Sequence, residues 1–216
     1  LCGAENPQAV LYVDFNRYGV AQDGRTALGA NANGVDEWAG ETSVTGKWAG
    51  ALEARLQRAG LFCKTLFYRD WRRAMLEQVV FDCIFPLVGA LHPRDDGSPS
   101  SLADVAKYFT GEVEAMLDEV QYALRGTMAV TLTYGALERM CAYAEAHCTD
   151  VPAVVKEFRW RNGVLHAMST LAKERGFPDP CETHTEYLLY GKEKGLFELP
   201  QSAVASSSRP GGERTS

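Results

Sequence analysis

Apolar residues follow one kind of pattern up to about residue 70 and another beyond it. In the first part the apolar runs are short. Residues 9–15 are rich in β-branched and aromatic side chains and predict a strand. Gln22-Asp23-Gly24-Arg25 predicts a turn, and residues 26–29 a short returning strand. The stretch 29–46 is dense in Gly, Asn, Asp and Thr and predicts a loop. Residues 47–58 predict a helix with Trp48, Leu52, Leu56 and Ala59 on one face, and 61–67 a further strand. A hairpin, a helix and a strand form an α/β fragment too small to bury both faces of a sheet.

From Trp71 onward the period is helical. Residues 71–91 place Met75, Leu76, Val79, Val80, Cys83, Ile84, Leu87 and Val88 on more than one stripe, which predicts burial on several sides. Pro86 cannot donate to the carbonyl of Asp82, so a kink is expected there. After a loop at 92–100, Ser101 is expected to cap a helix with Asp104 in its first turn. Further helices are predicted at 112–125, ended by Gly126, then at 131–147, 156–175 and 182–194. Residues 201–216 are Ser-, Gly- and Arg-rich without apolar periodicity and are expected to be disordered. The expected organisation is therefore a partial α/β remnant at 1–69, a helical domain at 70–200 and a tail at 201–216.

Composition narrows the classes. A chain of 216 residues, 46% hydrophobic and 23% charged, has material for a core. A net charge of -6 offers no basic surface to phosphate backbones. Arg69, Arg72 and Arg73 share one helical turn and read as a solvated face, so nucleic acid is set aside. None of the six cysteines forms a C-x-x-C pair; Cys63, Cys83 and Cys141 read as small buried hydrophobes. A reducing, cytoplasmic setting is expected. No apolar stretch is expected to reach the ~20 residues of a membrane span, and no membrane association is expected. The N-terminus has neither the basic nor the apolar region of a signal peptide and does not begin with Met, so residues are expected to precede Leu1.

Four stretches, in order, carry a family resemblance. Trp71-Arg72-Arg73 leads into a long apolar helix and Phe85-Pro86-Leu87. Leu117-Asp118-Glu119-Val120-Gln121-Tyr122-Ala123 follows, then Glu157-Phe158-Arg159-Trp160-Arg161-Asn162-Gly163, then Lys173-Glu174-Arg175-Gly176-Phe177-Pro178-Asp179-Pro180. Together they resemble the C-terminal helical domain of the ketopantoate reductase (2-dehydropantoate 2-reductase) family. There, a W-x-K run leads into an N-P-L-x-A segment, and an E-x-x-x-v-A-x-a-x-G helix, a T-E-I-D-Y-x-N-G block and a k-x-x-G-i-x-x-P block follow in that order. The resemblance implies a mainly α, 6-phosphogluconate-dehydrogenase-C-terminal-like domain after the end of a nucleotide-binding domain. It also implies NADP as cofactor of a full-length parent, a small 2-keto acid as substrate, and is compatible with a homodimer.

The departures qualify these implications. No strand–glycine–helix unit with G-x-G-x-x-G is present, so no cofactor binding is expected for this chain alone. The family's general-acid lysine falls on Arg73 when the tryptophan anchors the comparison, and on Glu77 when Pro86 does. Arginine can steady an alkoxide but transfers a proton poorly. The family's glutamate in the cleft corresponds to Glu157, for which a first-turn carboxylate favoured by the helix dipole is the alternative. Asp82, among apolar neighbours, reads as either a substrate contact or the partner of an arginine. His147 is a substrate-binding candidate by its place near the family's carboxylate-binding serine; a structural role is the alternative for His147 and for His166. Two functions follow: a ketopantoate-reductase-like oxidoreductase, inactive as this chain, or a helical dimerisation or ligand-holding module.

Overall fold

A computed structural model describes residues 6–15, 19–31 and 33–199; the tail expected at 201–216 lies outside the described residues. Six short strands come first: β1 (Gln8–Val10), β2 (Val13–Phe15), β3 (Ala21–Asp23), β4 (Thr26–Ala30), β5 (Asp36–Ala39) and β6 (Ser43–Thr45). Helix α1 (Ala49–Arg58) leads to β7 (Lys64–Thr65). β1 runs antiparallel to β6 with Ala9 opposite Val44, and β6 runs parallel to β7 with Val44 opposite Thr65. Parallel neighbours need a crossover, which α1 supplies. It packs Ala49, Leu52 and Leu56 against Val44 and Cys63. β2–β3 and β4–β5 are antiparallel hairpins.

Several expectations for this part need correction. The strand expected at 9–15 is two, β1 and β2, which pair with β6 and β3, and the strand expected to return at 26–29 is β4, which pairs with β5 instead. The segment 29–46 is not a plain loop, because it contains β5 and β6. Asp36-Glu37-Trp38-Ala39 lacks alternation, and it is held as a strand by β4 and by packing on α5 rather than by its own pattern. The strand expected at 61–67 shortens to two residues. Trp48 is 62% exposed, outside the buried face of α1.

The remainder is helical: α2 (Tyr68–Leu91), α3 (Leu102–Tyr108), α4 (Thr110–Met128), α5 (Ala136–His147), α6 (Asn162–Glu174) and α7 (Glu182–Glu193). α2 is the hub, in contact with α3, α4, α6, α7 and β6. Ile84, Phe85, Leu87 and Val88 are fully buried, and Pro86 sits inside the uninterrupted helix. A Cβ on Gly89 would lie 2.3 Å from the Ala153 Cβ, so the helix comes close to the neighbouring backbone there. By length and composition α2 is apolar enough to cross a membrane, which corrects the expectation that no stretch approaches such a span. Its burial among four other helices is that of a core helix.

Ser101 caps α3 as expected. Its Oγ accepts from the Asp104 N–H at 3.0 Å, while Asp104 Oδ2 accepts from the Ser101 N–H at 2.9 Å. Other helix ends moved. α4 passes Gly126 and ends at Met128, with Ala129 left-handed at φ 53°. α5 begins at Ala136, not at 131, behind a left-handed Gly135. The helix expected at 156–175 begins at Asn162. A 3-10 turn (Phe158–Trp160) precedes it, and a Cβ on Gly163 would lie 2.6 Å from the Phe158 carbonyl oxygen. Cys141 is half-buried rather than buried.

Candidate functional site

A cleft of about 470 Å³ lies between the strands and the N-terminal turns of α2. Tyr12, Trp38 and Lys64 line it from the strand side, and Asp70, Arg73 and Glu77 from α2. Arg73 and Glu77 stand one turn apart on the helix and so share one wall.

The cations differ in how firmly they are held. Arg139 of α5 donates from Nε and Nη2 to the two carboxylate oxygens of Glu77, each at 2.8 Å. It also donates to the carbonyls of Tyr134 at 2.7 Å and Thr133 at 3.1 Å. Burial disfavours its charge, yet the Glu77 carboxylate more than offsets this and raises its pKa. Both partners are mostly buried, so this forked pair is a structural strut. Lys64 pairs with Glu41. Burial, and then the neighbouring Arg25 and Arg139, lower its pKa. Arg73 makes one contact, Nη1 to Asp70 Oδ1 at 3.3 Å, with both side chains more than a third exposed. It is the cation most easily recruited by a ligand.

The other expected site residues stand elsewhere. Asp82 faces Arg161, Nε to Oδ2 3.8 Å, which is the arginine pairing rather than a place on the cleft. Burial raises its pKa, Arg161 works against that shift, and Glu157 adds to it. Glu157 is not in a helix. It is left-handed at φ 49°, its side chain is 66% exposed, and it pairs with Arg161 at 3.3 Å. The helix-dipole argument therefore does not apply to it. His147 closes α5 and contacts Asp14 of β2, Nδ1 to Oδ2 2.6 Å, with its ring against Tyr143. Arg73 thus lies in the cleft, Asp82 and Glu157 share Arg161, and His147 ties α5 to the strands.

Lys64 and Arg139 were not singled out in the sequence. Nothing local marks them, because the cleft joins segments more than sixty residues apart, as between Glu77 and Arg139.

A nicotinamide dinucleotide needs a strand-to-helix turn whose backbone amides face a pyrophosphate. The junction from β6 to α1 turns at Gly46, φ 94°, where a Cβ would lie 2.3 Å from the Asn6 carbonyl oxygen. The chain's own Asn6 and Pro7 fill the space beside that turn.

The chain is similar to two solved structures of D-mandelate dehydrogenase. One, a ternary structure with NADH and anilino(oxo)acetate, shares 15% identity over 80% of this chain and 73% of that chain, with a TM-score of 0.48. The other, a complex with NADH, shares 18% identity over 80% of this chain and 61% of that chain, with a TM-score of 0.46. No protein-family profile matches the chain, and no curated protein matches it.

Proposed function

We propose that this chain supplies the substrate side of a nicotinamide-dependent, ketopantoate-reductase-like oxidoreductase acting on a small 2-keto acid. The observation that carries the reading is the position of Arg73: on α2 two residues after Trp71, in the cleft, and held by a single carboxylate contact among the described residues. The resemblance in four ordered sequence blocks supports it. In this reading Arg73 exchanges Asp70 for the substrate carboxylate or ketone oxygen, and Lys64 adds positive charge from the opposite wall. No redox step is assigned to the described residues.

Calorimetric titration with pyruvate and 2-oxoisovalerate tests the binding half directly. Saturable binding is expected, weakened at least tenfold in Arg73→Ala and strengthened in Asp70→Asn, which frees the guanidinium. Absence of saturable binding in both wild type and Asp70→Asn would overturn the proposal.

One observation favours a second reading, a non-catalytic ligand-holding module. The cleft is lined by three cations (Lys64, Arg73, Arg139) against five carboxylates (Asp36, Glu37, Glu41, Asp70, Glu77), and each cation is already paired. A net acidic cleft disfavours an anion. Binding of neutral lactams or amides in preference to the keto acids would select this reading.

A further inference from the structure

A second cavity lies at the other end of α2, about 25 Å from the cleft at 1.5 Å per residue between Arg73 and Ala90. It encloses about 480 Å³, within the range of small-molecule sites. Its lining is mainly apolar: Leu91, Pro93, Pro99, Val154 and Leu196 among others. Both walls are fixed by the main chain. On one side Ala153 N–H donates to the Ser100 carbonyl at 2.7 Å and Gly97 N–H to Arg94 at 2.8 Å. On the other, Leu196 N–H donates to Gly191 at 3.0 Å, and a Cβ on Gly191 would lie 2.5 Å from the Phe197 ring. The main chain that flanks the cavity is therefore fixed on both sides.

One charged side chain lines it. Lys194, the C-cap of α7, lies with Nζ 5.2 Å from the centroid of the Tyr190 ring, and no carboxylate pairs with it among the described residues. The neighbouring recess beyond Leu91 and Tyr190 has two carboxylates of its own, Glu112 and Glu186, and Glu112 is engaged by the Tyr187 hydroxyl at 2.6 Å and by His92 at 3.0 Å. An apolar slot with a single unpaired cation in its wall is complementary to an apolar anion.

We propose that this slot binds a small amphipathic carboxylate, an aliphatic or aryl acid whose body lies against Leu91, Val154 and Leu196 and whose head meets Lys194. The site is independent of the cleft, and neither depends on the other for its chemistry.

Octanoate titrated calorimetrically into the full chain is the test, with octylamine as the cationic control and thermal unfolding to verify that each variant folds. One octanoate per chain is expected, weakened at least tenfold in Lys194→Glu and lost in Val154→Trp, which fills the slot. Octylamine binding as tightly as octanoate would overturn the proposal, as would octanoate binding unaffected by Val154→Trp or no saturable binding at all. Deletion of residues 201–216 that tightens octanoate tenfold would also overturn it, by showing that the chain occupies its own slot.

Discussion

His184 Nε2 lies 2.9 Å from Asn162 Oδ1, and both side chains are sealed from solvent. The contact fastens α7 to the first turn of α6, beside Gly163. Burial, helped by the nearby His166, pushes the His184 pKa down to about 4, so the folded ring is neutral. An unfolded histidine titrates near ~6.5. Between those values the unfolded chain binds the extra proton, so this contribution is complete above ~6.5 and is lost as pH falls towards 4. Thermal unfolding from pH 7 to 4.5 should show a steeper loss of Tm in wild type than in His184→Phe. Equal slopes would refute a neutral buried His184.

Removing the cleft's strut should be expensive. Arg139→Ala leaves the mostly buried Glu77 carboxylate and two carbonyls without their donor, and a cost of about 3–5 kcal/mol in urea unfolding is expected. Glu77→Gln, which keeps one acceptor, should cost less. If Arg139→Ala is neutral, the pair is decoration and Glu77 is free to meet a ligand.

Asp82 should behave in the opposite sense. Its folded pKa is raised above the unfolded value, chiefly by burial, so its contribution favours folding below ~3.9 and opposes it as pH rises. Asp82→Asn should therefore preserve or increase stability at pH 7, and Arg161→Met, which strips the counter-charge, should reduce it. A loss above about 1 kcal/mol in Asp82→Asn would mean that the carboxylate is a net stabiliser.

Gly40 stands where the strands meet α5. Its φ is 66°, and a Cβ would lie 2.7 Å from Cδ2 of Tyr143, whose ring packs edge-on against Tyr12 and Phe81. Gly40→Ala should cost about 1–3 kcal/mol through strain plus displacement of Tyr143. Gly19→Ala, at φ 77° with open space around it, carries the backbone term alone and should cost less. Equal losses in the two variants would show that the Tyr143 contact yields freely.

What could be read in the sequence follows the range of the forces involved. Val113, Met116, Leu117, Val120 and Leu124 announce α4 because a 3.6-residue stripe is local, and all five are buried. Ser101 and Asp104 announce their cap for the same reason. β5 was hidden, since Asp36-Glu37-Trp38-Ala39 is a strand only through its neighbours. The start of α6 was misplaced because nothing in Lys156-Glu157-Phe158 reveals that Glu157 turns left-handed. In the cleft, Arg73 was reached only through the family resemblance anchored on Trp71. The forked grip of Arg139 on Glu77 and the approach of Lys64 could not, because both arise where distant segments meet.

The hub position of α2 also sets a schedule. Its last partner, α7, leaves the ribosome about ninety residues after α2 itself, an interval of roughly 5–20 s at ~5–20 residues per second. Throughout that interval a rod of membrane-spanning length and apolarity waits with the surface meant for Leu188 uncovered. Newborn chains in which α7 is missing or late present that rod to chaperones and to the insertion machinery.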